Sequence, residues 1–456
     1  MQNNILDRQS GTWKWGLLCL VFLAPFFFLT YGFANQYASS LNDVPSIVFS
    51  WEHHIPLWAW TIVPYWSIDL FYGLSLLLCW NKFELRQHVL RLFTAQVISI
   101  SCFLIYPLKF SFDRAELQGF FGLWFEVLMG FDKPFNQAPS LHIVLLVILW
   151  DFYRRHINPK YRWLVHIWSL LIGLSVLTTW QHHFIDIPLG LLAGSLCLWL
   201  FPLSVKAPYQ KDPIQQFTPK HLKLGTFYLI GALLCIIPAF LFKGIWLWML
   251  YPAISLFLVA LAYFTVRPHI FQKQRNGQMT VASWMLLAPY FLFAWLNSRL
   301  WTHRHPQDSL VLQLNGVQVY LGRIPSAKHT RQYDALFDCC AELAVNQHVQ
   351  PYEKLNTLDL IPIQSTQLLL ASEAFDRFVQ PLIQTNRTHK VLIFCALGYS
   401  RSCSVLIAWL LQQNYVSGVD EAITLIQRTR PWIVLSETHI TEIKCFQELL
   451  AQVIQQ

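Results

Sequence analysis

Apolar residues gather into long runs along this chain, and the runs stop near residue 300. The first, Gly16–Asn35, follows a polar start carrying Arg8 and Lys14. Others lie at about 55–79, 88–107, 140–153, 163–180, 186–203, 224–242, 245–266 and 280–298. A helix rises ~1.5 Å per residue and a bilayer core is ~30 Å thick, so these runs predict nine transmembrane helices, give or take about one. No small-residue cleavage site follows the first run, which therefore reads as a helix and not as a secretory signal. Trp51, Trp80, Trp180 and Trp301 sit at run ends, where an interfacial aromatic belt would place them. The stretch Phe112–Phe131 is aromatic but interrupted by Glu116 and Glu126, which predicts a helix lying on the membrane surface.

Beyond residue 308 no further run of spanning length appears. Val391–Ser402, VLIFCALGYSRS, reads as a buried strand, a tight loop and a helix start. Cys395 and Arg401 bracket five residues, and Ser402 follows the arginine. Such a loop aims backbone N–H groups inward, and the helix start adds its positive dipole end, making a cradle for a dianion. Arg401 can grip two phosphate oxygens. Gly398 lets the loop pass close to the phosphate. A thiol at the bottom of the cradle suits a thiolate nucleophile.

Composition sharpens this division. Hydrophobic residues make up 55% and charged residues 13%, with a mean hydropathy of +0.38, the profile of a membrane protein. The net charge of +8 is no nucleic-acid signal: from Ser309 onward 11 Lys+Arg face 12 Asp+Glu, so the excess belongs to the loops between apolar runs. Lys82, Arg86 and Arg91 follow the second run. Arg154, Arg155, Lys160 and Arg162 follow the fourth. Lys206, Lys211, Lys220 and Lys223 follow the sixth, and Arg267, Lys273 and Arg275 the eighth. The positive-inside rule then puts the N-terminus and the even-numbered exits in the cytoplasm, and nine spans send the C-terminal domain outside. The ten cysteines show no C-x-x-C spacing, and no zinc site or disulfide framework is expected.

Residues 319–456 resemble a dual-specificity phosphatase domain, a branch of the cysteine phosphatases. Val319 opens VYLGRIPSA, which is similar to that family's first strand and turn; Leu336–Leu343, LFDCCAEL, is similar to its next strand. Within LNTLDLI the resemblance makes Asp359 the general acid. It implies that Cys395 attacks phosphorus, Asp359 protonates the leaving alkoxide, and the cysteinyl phosphate is hydrolysed with Asp359 as base. Arg401 and the loop amides would stabilise the transition state, and Ser402 would help expel the thiolate. Phe394 stands where the family usually has histidine. Asp338 and Arg323 read as structural.

A second constellation lies on loops assigned to one, outer side of the membrane. It comprises Tyr106–Arg114, Pro139-Ser140-Leu141-His142, and Thr178–Asp186 with His182 and Asp186 four apart. That spacing lets the carboxylate hold the imidazole tautomer, while one histidine attacks phosphorus and another protonates the leaving oxygen. His183 reads as a neighbour. Residues 60–203 resemble the type 2 phosphatidic acid phosphatase superfamily, a six-helix membrane fold. The resemblance makes His182 the nucleophile, Asp186 its orienter, His142 the acid, and Lys109, Arg114 and Ser140 phosphate ligands. Ala115, Leu141 and Val176 depart from its pattern, as in the branch of inositolphosphorylceramide and sphingomyelin synthases, which transfers headgroups.

The expected fold is therefore a multi-pass α-helical membrane domain plus a C-terminal α/β cysteine-phosphatase domain. Residues 1–59 would form a membrane helix and loop, 60–203 the lipid phosphatase or phosphotransferase core, 204–223 a Pro- and Lys-rich linker, 224–300 further membrane helices, and 309–456 the phosphatase. The expected protein sits in a bacterial inner membrane and meets membrane lipids, with no nucleic acid, metal or other cofactor. It hydrolyses phosphomonoesters, either of a phospholipid such as phosphatidylglycerol phosphate or of a phosphoprotein. The membrane half is a second lipid phosphatase, a headgroup transferase or a non-catalytic anchor. Ala396, Leu397 and Tyr399 bring no charge into the loop, which argues against highly charged inositides.

Overall fold

The computed structural model describes residues 7–454 except 114–116, 212–215, 243, 315, 347–350 and 386. The chain divides into two compact units, residues 1–204 and 205–456.

The first unit is helical: α1 Thr12–Ser39, α2 Ile62–Leu77, α3 Lys82–Ile105, α4 Gly119–Phe131, α5 Leu141–His156, α6 Arg162–Thr178 and α7 Asp186–Leu200. Sequence explains where they stop and start. Asn81 caps α3 by accepting from the Glu84 N–H at 2.9 Å, and the Glu84 carboxylate answers by accepting from the Trp80 N–H. Arg154, Arg155 and His156 close α5, the two arginines turning inward onto Asp151 and Glu84; Arg91 reaches the same Asp151 at 3.2 Å. Buried charges of this kind persist only when paired.

The second unit begins with α8 Pro219–Phe242, α9 Leu250–Phe264 and α10 Val281–Trp301. Then come β1 Ser309–Leu314, β2 Val317–Arg323, α11 Ala327–Thr330, β3 Ala335–Asp338, β4 Tyr352–Lys354, α12 Ser365–Ile383, β5 His389–Cys395, α13 Arg401–Gln412, α14 Val419–Thr429 and α15 Glu437–Ile454. The sheet order is β1-β2-β5-β3-β4, antiparallel between β1 and β2 and parallel elsewhere. Its central strand β5 is an almost unbroken apolar run, as a strand covered on both faces requires. Phe375, Trp409 and Phe337 fill the core where α12 and α13 pack on the sheet.

Each of the nine expected apolar runs contains a helix, although residues 55–58 of the second are not helical. Among the described residues, six helical stretches are long and apolar enough to cross a membrane: Thr12–Ser39, Lys82–Ile105, Pro159–Thr178, Pro219–Phe242, Gly244–Phe264 and Val281–Trp301. The helices α2, α5 and α7 stop at 16, 16 and 15 residues. α2 ends at Leu77, ahead of the Asn81 cap of α3; α5 ends in its basic last turn; and α7 runs from Asp186 to Leu200, just ahead of Pro202. Outward faces are apolar, with Phe22, Leu29, Phe240 and Leu241 exposed. Of Phe112–Phe131, the helix covers Gly119–Phe131. The expected strand Leu336–Leu343 ends at Asp338, because its carboxylate accepts from the Cys340 N–H at 2.8 Å and turns the chain out of the sheet.

Candidate active site

The carboxyl ends of β2, β3 and β5 meet, and the site is built there. β5 delivers Cys395, the loop 396–400 turns, and α13 begins at Arg401. The Gly398 N–H donates to Cys395 Sγ at 3.2 Å and Ser402 Oγ lies 3.4 Å from the same sulfur, so cysteine, glycine and serine converge as their spacing implied. Gly398 has φ +71°, and a Cβ there would stand 2.2 Å from the Gly322 carbonyl oxygen. We expect Gly398→Ala to cost about 1–3 kcal/mol and to open the loop, read as a fall in Tm together with a loss of phosphate release.

Arg401 is buried, and its guanidinium is fully directed. It donates to both Glu342 oxygens at 3.0 and 2.6 Å, to Asp359 Oδ1 at 2.8 Å and to the Thr357 carbonyl at 3.1 Å. The expected acid and the expected phosphate ligand therefore touch. Burial alone would raise the Glu342 carboxyl, but the Arg401 guanidinium outweighs it and holds Glu342 below the usual range. Asp359 goes the other way: burial, helped by the facing Glu342 charge, outweighs Arg401 and raises its carboxyl. One guanidinium thus neutralises Glu342 and leaves Asp359 inclined to hold a proton. Burial also raises the thiols of Cys339, Cys340 and Cys403, which keeps them inert. Phe394 is wholly buried beside Cys395 and brings no charge to the sulfur.

Several residues here carried no expected role. Glu342 lies inside LFDCCAEL, where it is one of two carboxylates, with Asp338, in an otherwise apolar stretch. Arg430 is buried and donates to the Gly398, Leu397, Leu321 and Gln307 carbonyls, stapling the outside of the loop. The apolar helices also reach in. Ser298 near the end of α10 donates to the Ala396 carbonyl at 2.6 Å, and Tyr263 of α9 donates to the Asp359 carbonyl at 3.1 Å. Asp338 pairs with buried Lys273, and Arg323 Nη1 donates to Thr302.

In the first unit His182 Nδ1 stands 3.2 Å from Asp186 Oδ2. The His142 and His182 rings are 6.5 Å apart, with Tyr65 stacked on His142 at 4.0 Å. Ser140 Oγ, His142 Nε2 and Asp186 Oδ1 are buried without a hydrogen-bond partner among the described residues, a polar group set with capacity to spare. His183 joins the cluster, bonded to Glu52 at 3.0 Å and to Ser111. Lys109 is exposed, and Arg114 lies outside the described residues.

A cysteine met by the Gly398 N–H and the Ser402 hydroxyl, beside a carboxylate-held arginine at the carboxyl ends of the central strands, has the layout of a cysteine-dependent phosphatase domain. Residues 319–448 match the dual specificity phosphatase catalytic domain, and the chain is a phosphoric monoester hydrolase. Similar solved structures include PTPMT1, 19% identical, covering 33% of this chain and 100% of that one with a TM-score of 0.26. Human DUSP28 is 16% identical, covering 32% and 96% with a TM-score of 0.27. A leucine rich repeat and phosphatase domain containing protein from Entamoeba histolytica is 16% identical, covering 33% and 98% with a TM-score of 0.27. No curated protein matches the chain.

Proposed function

We propose that the chain is a membrane-embedded phosphatase that removes phosphate from a phosphomonoester lipid through a cysteinyl-phosphate intermediate. The observation that carries this reading is the bonding of apolar helices to the reaction loops: Ser298 to the cysteine loop and Tyr263 to the acid loop. A helix whose outer face needs lipid thereby holds the parts that handle phosphate. The uncharged Ala396, Leu397 and Tyr399 favour a lipid with one simple phosphomonoester, such as phosphatidylglycerol phosphate, over a multiply phosphorylated headgroup.

In the reaction the dianion enters the loop amides and takes the guanidinium edge that Asp359 now occupies. Glu342 keeps the other edge and fixes the plane of the fork. Cys395 Sγ forms the S–P bond as the P–O bond to the alcohol breaks, and protonated Asp359 gives its proton to that oxygen. Water then attacks phosphorus, with Asp359 taking a proton and Ser402 Oγ stabilising the departing thiolate. We expect Asp359→Asn to lower kcat by about 10²-fold or more. Because Asp359 is raised, the wild-type rate should persist above the ordinary carboxylate range and fall as the pH passes the raised value; the variant should lack that basic limb.

The first unit is proposed as a second, histidine-based lipid phosphate site, on the strength of the His182–Asp186 contact and the unpartnered Ser140 and His142 atoms beside it. One experiment tests both readings: phosphate release by the full chain in vesicles, from lipid phosphomonoesters and from phosphopeptides. Cys395-dependent release is expected from lipid; faster release from peptides would sink the lipid reading. His182→Ala with Cys395 intact should abolish a separate share of lipid turnover, and unchanged turnover would make the first unit an anchor.

A further inference from the structure

Both ends of α10 are bonded to the phosphatase domain. Ahead of its start, Lys273 Nζ donates to Asp338 at 2.5 Å and to the Cys340 carbonyl at 2.7 Å. Gln278 Nε2 donates to the Val345 carbonyl at 2.6 Å, and the Val345 N–H donates to the Gly277 carbonyl at 3.0 Å. Near its end, Ser298 holds the cysteine loop and Arg299 donates to the Ile324 carbonyl at 3.2 Å. In between, Ala294 packs on the phosphatase core, and Tyr290 lies within electrostatic reach of Glu342 and Asp359.

A helix of 21 residues is ~31 Å long, about the thickness of a bilayer core. If α10 crossed that layer its ends would lie on opposite faces, and one water-facing domain could not bond both. The helices α8 and α9 are different. The Gln216 N–H and carbonyl, just ahead of α8, pair with the Gln364 side chain, and Tyr263 in the last turn of α9 holds Asp359. These two near ends meet one loop of the phosphatase. Between their far ends lies a short helical turn, Gly244–Met249, where Trp246 and Trp248 are exposed.

We propose that α8 and α9 cross the bilayer as a hairpin while α10 lies along the headgroup layer beside the cysteine cradle, so that the site faces the lipid surface. The outer side of α10 suits that layer: Trp284, Phe293 and Trp295 are exposed, and the Arg299 guanidinium sits 5.6 Å from the Trp295 ring centre. The charge pattern then chooses the side. Residues 205–223 carry four lysines and one acid, and residues 265–280 carry Arg267, Lys273 and Arg275 with no acid. Both stretches are bonded to the phosphatase domain, so it shares their face, which the positive-inside rule makes cytoplasmic. This replaces the outward placement that nine crossings would give. It also puts the Cys395 sulfur in a reducing compartment, where a nucleophilic thiol survives.

The inference rests on the membrane reading of α8 and α9 and not on the choice between lipid and protein substrate. The full chain in sealed membrane vesicles tests it with a membrane-impermeant maleimide. Native Cys445 is exposed on α15 and reports the side of the domain. In a Cys445→Ser background, Asn276→Cys and Arg304→Cys flank α10 at exposed positions. We expect all three thiols to label in inside-out vesicles and to stay at background in right-side-out ones. Labelling of positions 276 and 304 from opposite faces, or of Cys445 from the outer face, would overturn the proposal. Release of the chain by carbonate washing would end the membrane reading itself and is separately recognisable, because no sidedness would then remain.

Discussion

In a chain already carrying His182→Ala, replacing Cys395 with serine is expected to lower phosphate release by roughly 10⁴- to 10⁶-fold, the scale of losing a nucleophile from a group that acts as a unit. A hydroxyl fits the space: the Gly398 N–H and the Ser402 hydroxyl that meet the sulfur at 3.2 and 3.4 Å can meet an oxygen as well. Folding should therefore be nearly untouched, and Tm measured on the same preparation should confirm it. What disappears is the S–P bond. Acid-quenched reactions with labelled substrate should hold phosphate on the wild-type chain and none on the variant. A variant retaining a hundredth of the rate would remove Cys395 from the reaction.

Glu342→Ala is expected to be the most damaging change that touches no reacting atom. It strips the bidentate partner from a guanidinium that has almost no contact with water. Breaking one side of a buried pair costs about 3–5 kcal/mol, and urea unfolding of the full chain in detergent should read a loss of that order. Because burial is outweighed by Arg401 and Glu342 is held below the usual range, the pair stabilises the fold above that range and the contribution is lost as pH falls through the lowered value. Activity should fall too, since Arg401 loses the contact that sets its plane. The pH profile carries a sharper signature. The Glu342 charge helps raise Asp359, so its removal should move the basic limb of kcat/KM to lower pH. A limb that stays in place would separate Glu342 from the acid.

The cysteine loop was legible in the sequence because its chemistry is local. Seven consecutive residues hold the sulfur, the amides and the guanidinium, so spacing implied the geometry. Asp359 was reached through resemblance to a family, since 36 positions separate it from Cys395 and periodicity says nothing about a contact across loops. Glu342 and Arg430 escaped for that reason, since the partners of each are distant in the chain. The helical runs were legible by length and composition. Their ends were less so: α2 starts only at Ile62 within the run from 55, and α7 stops at Leu200 within the run to 203, since hydropathy averages over a window and does not register where the backbone leaves the helix. For α10 the apolar length alone suggested a crossing, and the contacts that argue otherwise come from residues on either side of the run.

Lys273 carries a consequence for anyone wishing to use the phosphatase as a cassette. Its ammonium group, donated by the connection between α9 and α10, is wholly enclosed against Asp338 and the Cys340 carbonyl. A fragment trimmed to begin at β1 would leave the Asp338 carboxylate without its cation, its partners among the described residues then being the Tyr352 hydroxyl and the Cys340 N–H. The catalytic module is thus completed by a graft from outside its own boundaries, and grafting it elsewhere requires taking residues 265–280 along.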